Sequence, residues 1–155
     1  MKIAVACDHA GFPLKGVVLE AVQDCGHEPL DLGTYSTEAV DYPDFAEKLG
    51  IAIQSGEAER GILLCGSGVG ACIAVNKMNG VYAAICHDTY SAHQGVEHDD
   101  MNVLCLGARI IGPELLYELV TTFLAARFVG NDPGQERHKR RVGKIKEIEK
   151  GQSEN

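Results

Sequence analysis

The sequence predicts an α/β fold: a Rossmann-like three-layer α/β/α sandwich around a five-stranded parallel sheet. Two observations lead there. Five apolar runs of four to six residues alternate with stretches whose apolar residues recur at helical spacing. These runs are nearly unbroken in apolar character, as in strands covered on both faces. A third observation concerns glycine. It makes up 18 of the 155 residues, well above the usual ~7%, and it punctuates the chain instead of clustering. That pattern suits turns and ligand loops at the carboxyl ends of strands, where folds of this class bind.

The elements follow in order. Lys2–Cys7 reads as a strand ending in the turn Asp8-His9-Ala10-Gly11, and Pro13 suits the first turn of a helix. Leu14, Val17, Val18, Ala21 and Val22 carry that helix to Asp24-Cys25-Gly26. Glu28–Leu32 is the second strand and Gly33–Asp41 a polar loop, followed by a helix over Tyr42–Ser55. Arg60–Cys65 is the third strand, and it runs into Gly66-Ser67-Gly68-Val69-Gly70 and a helix to about Met78. Val81–Cys86 is the fourth strand, with a helix around Ser91–His98 after it. Asn102–Leu106 is the fifth. Pro113 opens a long helix whose Leu115, Leu116, Leu119, Val120, Phe123 and Leu124 face inward. Residues 1–150 make one domain, with 131–150 a basic carboxyl-terminal arm and 151–155 a frayed polar tail.

Composition narrows the function. A net charge of −8 argues against nucleic-acid binding. No apolar run is long enough to cross a membrane, and the amino terminus reads as a strand, not a secretion signal. The six cysteines show no CxxC spacing and mostly sit in apolar runs, so they read as buried thiols of a cytoplasmic protein. His87, His93 and His98 are six and five residues apart, which does not match a helical metal pair, and no metal is expected. The arm holds the densest basic run, Arg137-His138-Lys139-Arg140-Arg141. On a helix Arg137 and Arg141 share one face. That face is either solvated or a clamp for a small phosphorylated ligand.

The chemistry gathers at the strand ends. In Cys65–Gly70, glycines let successive backbone N–H groups converge on one point, and the helix start adds partial positive charge. Such a loop holds an anion, either a phosphate or an oxyanion that develops during reaction. It also favours the thiolate of a cysteine at its entrance, so Cys65 is a candidate base or nucleophile. Gly66–Ala71 fits the loose dinucleotide pattern, with Asp88 as a distant acid. That match follows the third strand, not the first, and leaves no space for a substrate domain. His98, at a loop edge before Asp99-Asp100-Met101-Asn102, is placed as a general acid would be.

Four segments together resemble the ribose-5-phosphate isomerase B family of sugar-phosphate isomerases: Asp8–Gly11, Cys65–Gly70, His98–Leu104 and Gly107-Ala108-Arg109. Ala74-Val75-Asn76-Lys77 and the Arg137…Arg141 arm add to the likeness. The resemblance implies a cofactor-free interconversion of ribose 5-phosphate and ribulose 5-phosphate through an enediolate. It implies Cys65 as the base. It also implies Ser67 and the amides of Gly66, Gly68, Val69 and Gly70 as the oxyanion site, and His98 as the ring-opening acid/base. Asp8 and His9 would bind sugar oxygens, and Arg137 and Arg141 the phosphate, with Arg109 in support. It further implies a homodimer, or a pair of them, whose sites are shared, with His98, Asp99 and Arg109 facing the partner's Cys65. Two positions depart from the family. Ala71 stands where one branch has a carboxylate base, which favours Cys65, and Asp99 stands where Asn is common. An ionised Asp99 beside an enediolate would repel it. The rivals are the same chemistry on galactose 6-phosphate or allose 6-phosphate, a non-catalytic phosphosugar- or nucleotide-binding module, and a cysteine-nucleophile hydrolase.

Overall fold

A computed structural model describes residues 1–155 and contains five strands and six helices. The strands are β1 (Lys2–Cys7), β2 (Glu28–Asp31), β3 (Arg60–Cys65), β4 (Ala83–Ile85) and β5 (Val103–Gly107). The helices are α1 (Phe12–Asp24), α2 (Tyr42–Gln54), α3 (Val69–Val75), α4 (Thr89–Asp99), α5 (Pro113–Ala125) and α6 (Glu136–Ser153). All strand pairs are parallel and the order is β2-β1-β3-β5-β4. The predicted sandwich is therefore present, with the fifth strand inserted between the third and the fourth.

Strand alternation sorts the core into two halves. Ile3, Val5, Ile62, Leu64, Leu104 and Leu106 point to the face covered by α1, α4 and α5, where Val18, Val96, Leu119 and Phe123 meet them. Ala4, Ala6, Leu63, Cys65, Val103 and Cys105 point to the opposite face, against Phe45 and Leu49 of α2 and Ala71 and Val75 of α3. Most of these side chains are fully buried, and each fully buried leucine or isoleucine contributes about 1.5–3 kcal/mol. At the end of α5, Arg60 donates to the carbonyls of Phe123 (2.8 Å) and Ala126 (2.7 Å), so a cation sits at the negative end of that helix.

Two elements are shorter than their apolar runs. The third helix stops at Val75, not Met78, because Asn76 turns its side-chain amide onto the edge strand. It donates to the Ala83 carbonyl (2.8 Å) and accepts from the Ala83 amide (2.9 Å). The fourth strand begins at Ala83, not Val81, because Asn102 holds the Tyr82 amide at 2.8 Å and the Gly80 carbonyl at 2.8 Å. At the other end of the chain, α6 carries through Gly151 to Ser153, where polar composition suggested fraying from Gly151. Its last turns are tied down: Glu149 accepts from the Gly80 amide (2.7 Å) and the Tyr82 hydroxyl (3.0 Å), and Asn79 donates to Ser153 (3.0 Å).

The strand order creates one crevice of consequence. From β1 the chain moves outward to β2 on one side and to β3 on the other. Their carboxyl ends diverge there, at the kind of point where open α/β sheets take ligands. Asp8 follows β1 and Cys65 ends β3.

Candidate active site

That crevice is a cleft of about 440 Å³, lined by Asp8, His9, Cys65, Gly66, Ser67, Gly70 and Arg109, with Ala10, Tyr42 and Ile110 completing the wall. The turn after β1 is held by its own aspartate. Asp8 Oδ1 accepts from the amides of Ala10 (2.9 Å) and Gly11 (3.0 Å), so the second carboxylate oxygen is the one free for a ligand. His9 accepts at Nδ1 from the Val40 amide (3.2 Å). An N–H can only donate, so the ring proton lies on Nε2, and His9 offers the cleft a donor.

The glycine loop divides its amides between two jobs. Gly68 adopts φ +83°, which a side chain would resist, and this turn brings its N–H to 3.1 Å from the Cys65 sulfur. The Val69 N–H goes to Ser67 Oγ (3.2 Å). Gly66, Ser67 and Gly70 line the cleft, and their amides donate to no protein acceptor. The five-residue oxyanion site expected from sequence thus narrows. Gly68 steadies the sulfur and Val69 is held by Ser67, which leaves three amides for a ligand. At Gly70 a Cβ would lie 2.6 Å from the Tyr42 ring, so any side chain there would displace the tyrosine from its place against the loop. Tyr42 was not legible as a site residue, because one aromatic at a helix start carries no signal without the fold. Cys65 is only 4% exposed, yet it stands on the cleft wall, as a base shielded from bulk water should. Cys72, behind the loop, has its thiol brought down to about 7 by a hydrogen bond with Cys105, with burial working against it; it does not line the cleft.

Arg109 lies in the cleft of its own chain, with its side chain beside Gly66. This corrects the expectation that it goes with His98 and Asp99 to face a partner. The β5–α5 turn decides the matter: Ala108 and Arg109 donate to the carbonyls of Cys65 and Gly66, which binds that turn to the glycine loop.

The remaining expected residues gather elsewhere. His98, Asp99, Arg137 and Arg141 do not line the cleft. His98, near the end of α4, stacks on His138 of α6 with ring centroids 4.0 Å apart. Its Nδ1 lies 3.1 Å from the Gln94 amide nitrogen. His138 is buried at 4% exposure and its Nε2 has no partner. Burial holds His138 below the ordinary histidine value, and His98, Arg137 and Arg141 push the same way. One chain thus separates the expected residues into two groups: the thiol cleft, and the stacked His98–His138 pair on α4 and α6 with Arg137 and Arg141 on α6. His138 falls within the basic run, where burial of one residue has no local signature in sequence.

The other histidines have separate duties. His93 pairs with Glu97 (3.1 Å), and His87 Nε2 accepts from the Gly107 amide (3.0 Å). Asp88 caps α4 through the Ser91 amide (2.7 Å), which accounts for it without a ribose. No three His, Cys, Asp or Glu side chains converge as metal ligands would.

Burial lowers the affinity of His27, His87 and His138 for a proton. The unfolded chain therefore protonates first, and stability present above the unfolded value is lost as pH falls below about 6.5. Thermal melts should show a midpoint that falls as pH drops below about 6.5. In His87→Gln the side-chain oxygen accepts the Gly107 N–H at any pH, so the decline should be shallower. An equal or steeper decline would remove His87 from this account.

Residues 3–145 match the ribose/galactose isomerase family. The chain is 43% identical over 148 residues to ribose-5-phosphate isomerase B of Escherichia coli K12, covering 96% of each protein. It is 44% identical over 131 residues to D-erythrulose-4-phosphate isomerase of Pectobacterium atrosepticum, covering 84% of this chain and 86% of that one. Among solved structures it is similar to ribose-5-phosphate isomerase B of Clostridium thermocellum. That match has a TM-score of 0.91 and 46% identity, and it covers 97% of this chain and 99% of the other.

Proposed function

The chain belongs to the ribose/galactose isomerase family, and from that premise we propose that it interconverts ribose 5-phosphate and ribulose 5-phosphate through an enediolate, with residues 1–150 as one isomerase domain. The observation that carries this reading is the Cys65 sulfur on the wall of a cleft beside three unpaired amides. His98 opens the furanose ring by donating a proton to the ring oxygen, and its imidazole takes one back from the C1 hydroxyl, with no net change in its protonation. The Cys65 thiolate then takes the proton from C2, and the C2–H electron pair forms the C1=C2 bond. Charge moves onto O1, where the amides of Gly66, Ser67 and Gly70 receive it. The Cys65 thiol delivers the proton to C1, and transfer of the O2 proton to O1 completes the ketose. General acid–base help of this kind contributes ~10²–10⁴-fold and one oxyanion donor ~10²–10³-fold. His9 Nε2–H and the free oxygen of Asp8 orient sugar hydroxyls. Arg109, Arg137 and Arg141 hold the phosphate, whose remote binding energy positions the reacting carbons.

This reading requires a second copy of the chain. The thiol cleft supplies the base and the oxyanion site; His98, Asp99, Arg137 and Arg141 of a partner supply the acid and most of the phosphate grip. In support, Val69, Ile73, Tyr90 and Ile110 are large apolar side chains left exposed on α3, the start of α4 and the turn after β5. A two-fold homodimer that covers them brings the two half-sites together. The six free thiols fit a reducing cytoplasm, and no helix is long and apolar enough to cross a membrane.

The test is direct. Purified protein with ribose 5-phosphate, and no added metal or nucleotide, should form ribulose 5-phosphate faster than it turns over allose 6-phosphate or D-erythrulose 4-phosphate. Preferred turnover of either alternative would reassign the substrate. Binding of all three with turnover of none would make the protein a binding module.

A further inference from the structure

Lys15 is 4% exposed in the interior of α1, where a lysine is rarely found without a purpose. Its ammonium donates to the Thr34 carbonyl (2.6 Å) and to Asp31 Oδ1 (3.0 Å). It also lies 4.4 Å from the centre of the Tyr35 ring and 5.4 Å from that of Phe12. Asp31 Oδ1 accepts the Gly33 amide as well (3.0 Å). Backbone bonds from Cys7 to Gly33 (2.7 Å) and from Thr34 to Cys7 (2.8 Å) complete the anchorage. All of these contacts fall at the entry of the segment 33–41.

The exit of the same segment touches the cleft. Val40 N–H sets the His9 tautomer, and Tyr42, two residues on, packs across Gly70 and lines the cleft. Between entry and exit, Tyr35 to Ala39 is exposed. The segment is therefore held at its entry by the buried Lys15 ammonium together with the backbone bonds to Cys7, and its far end forms one wall of the site.

We propose that Lys15 is a positioning residue: by pinning the entry of segment 33–41, it keeps Val40 on His9 Nδ1 and Tyr42 against the glycine loop, so that His9 presents Nε2–H to the substrate. This deepens the isomerase reading and rests on it only for the contact between His9 and sugar phosphate. A purely structural lysine would affect stability alone. A positioning lysine also alters the His9 ring and the affinity for substrate.

The experiment uses the full chain with Lys15→Met and Lys15→Arg, plus Asp31→Asn as a milder release should the methionine variant not fold. Two quantities are read: the ¹⁵N shifts of the His9 ring, and KM and kcat for ribose 5-phosphate. The parent should show an unprotonated Nδ1 and a protonated Nε2. In Lys15→Met the two nitrogens should move toward averaged shifts and KM should rise on the order of tenfold or more. Asp31→Asn should move both quantities the same way by less, and Lys15→Arg should recover most of both. An unchanged His9 spectrum in a folded Lys15→Met or Asp31→Asn variant overturns the proposal. So does a shifted spectrum with an unchanged KM, which severs the pin from the reaction. If the parent protein turned over no ribose 5-phosphate, the isomerase reading would fall, while the His9 spectrum would still decide whether Lys15 holds the segment.

Discussion

Cys65→Ser should lose at least about two orders of magnitude in kcat while it still folds and still binds ribose 5-phosphate. The substitution keeps the shape of the side chain and its bond from the Gly68 amide, but a serine hydroxyl is not deprotonated near neutral pH. The phosphate grip and the cleft amides are untouched, so Kd measured by calorimetry should stay close to that of the parent. Loss of affinity in parallel with kcat would mean that the sulfur shapes the cleft instead of moving a proton. Alkylation is a weaker substitute for this variant, because the Cys72 thiol, brought down to about 7, would react as well.

The second large effect is regained activity. Cys65→Ser and His98→Gln should each be nearly inactive alone. Mixed, unfolded together and refolded, they should recover about a quarter of the parent activity if subunits pair at random. Half of the dimers would then be mixed, and each mixed dimer would hold one site with both native groups. The expectation follows from the separation of the thiol cleft from the His98–His138 stack within one chain. If a site were built from one chain, every site in the mixture would carry a defect, and mixing would recover nothing.

Much of this was legible in the residues. Strands announced themselves as apolar runs, and Asp8, His9, Cys65 and the glycine loop stood at strand ends, where the fold class puts ligands. The order of the strands was not legible, because periodicity says which face a residue takes and not which strand lies beside it. The early end of α3 depended on Asn76 reaching Ala83, a contact seven residues ahead in the chain. Arg109 was assigned to the wrong half-site because its placement is decided by backbone bonds between two turns distant in sequence. Tyr42, Ile110, Lys15 and His138 were missed as functional positions for a common reason. Each acquires its role from burial or from a close approach to another element, and a residue type alone does not report that. Asp99, exposed at the end of α4, stands with the His98 half-site and away from the thiol. Within its own chain it is thus kept apart from the thiol cleft.

The central claim is that the Cys65 sulfur carries a proton between two sugar carbons, and exchange with solvent tests it most directly. In D₂O the parent protein should introduce deuterium at C1 of ribulose 5-phosphate, observed by NMR as loss of one C1 proton signal. Cys65→Ser, saturated with the same sugar, should leave that signal at the rate seen without protein. Exchange by Cys65→Ser at the parent rate would show that some other group moves the proton.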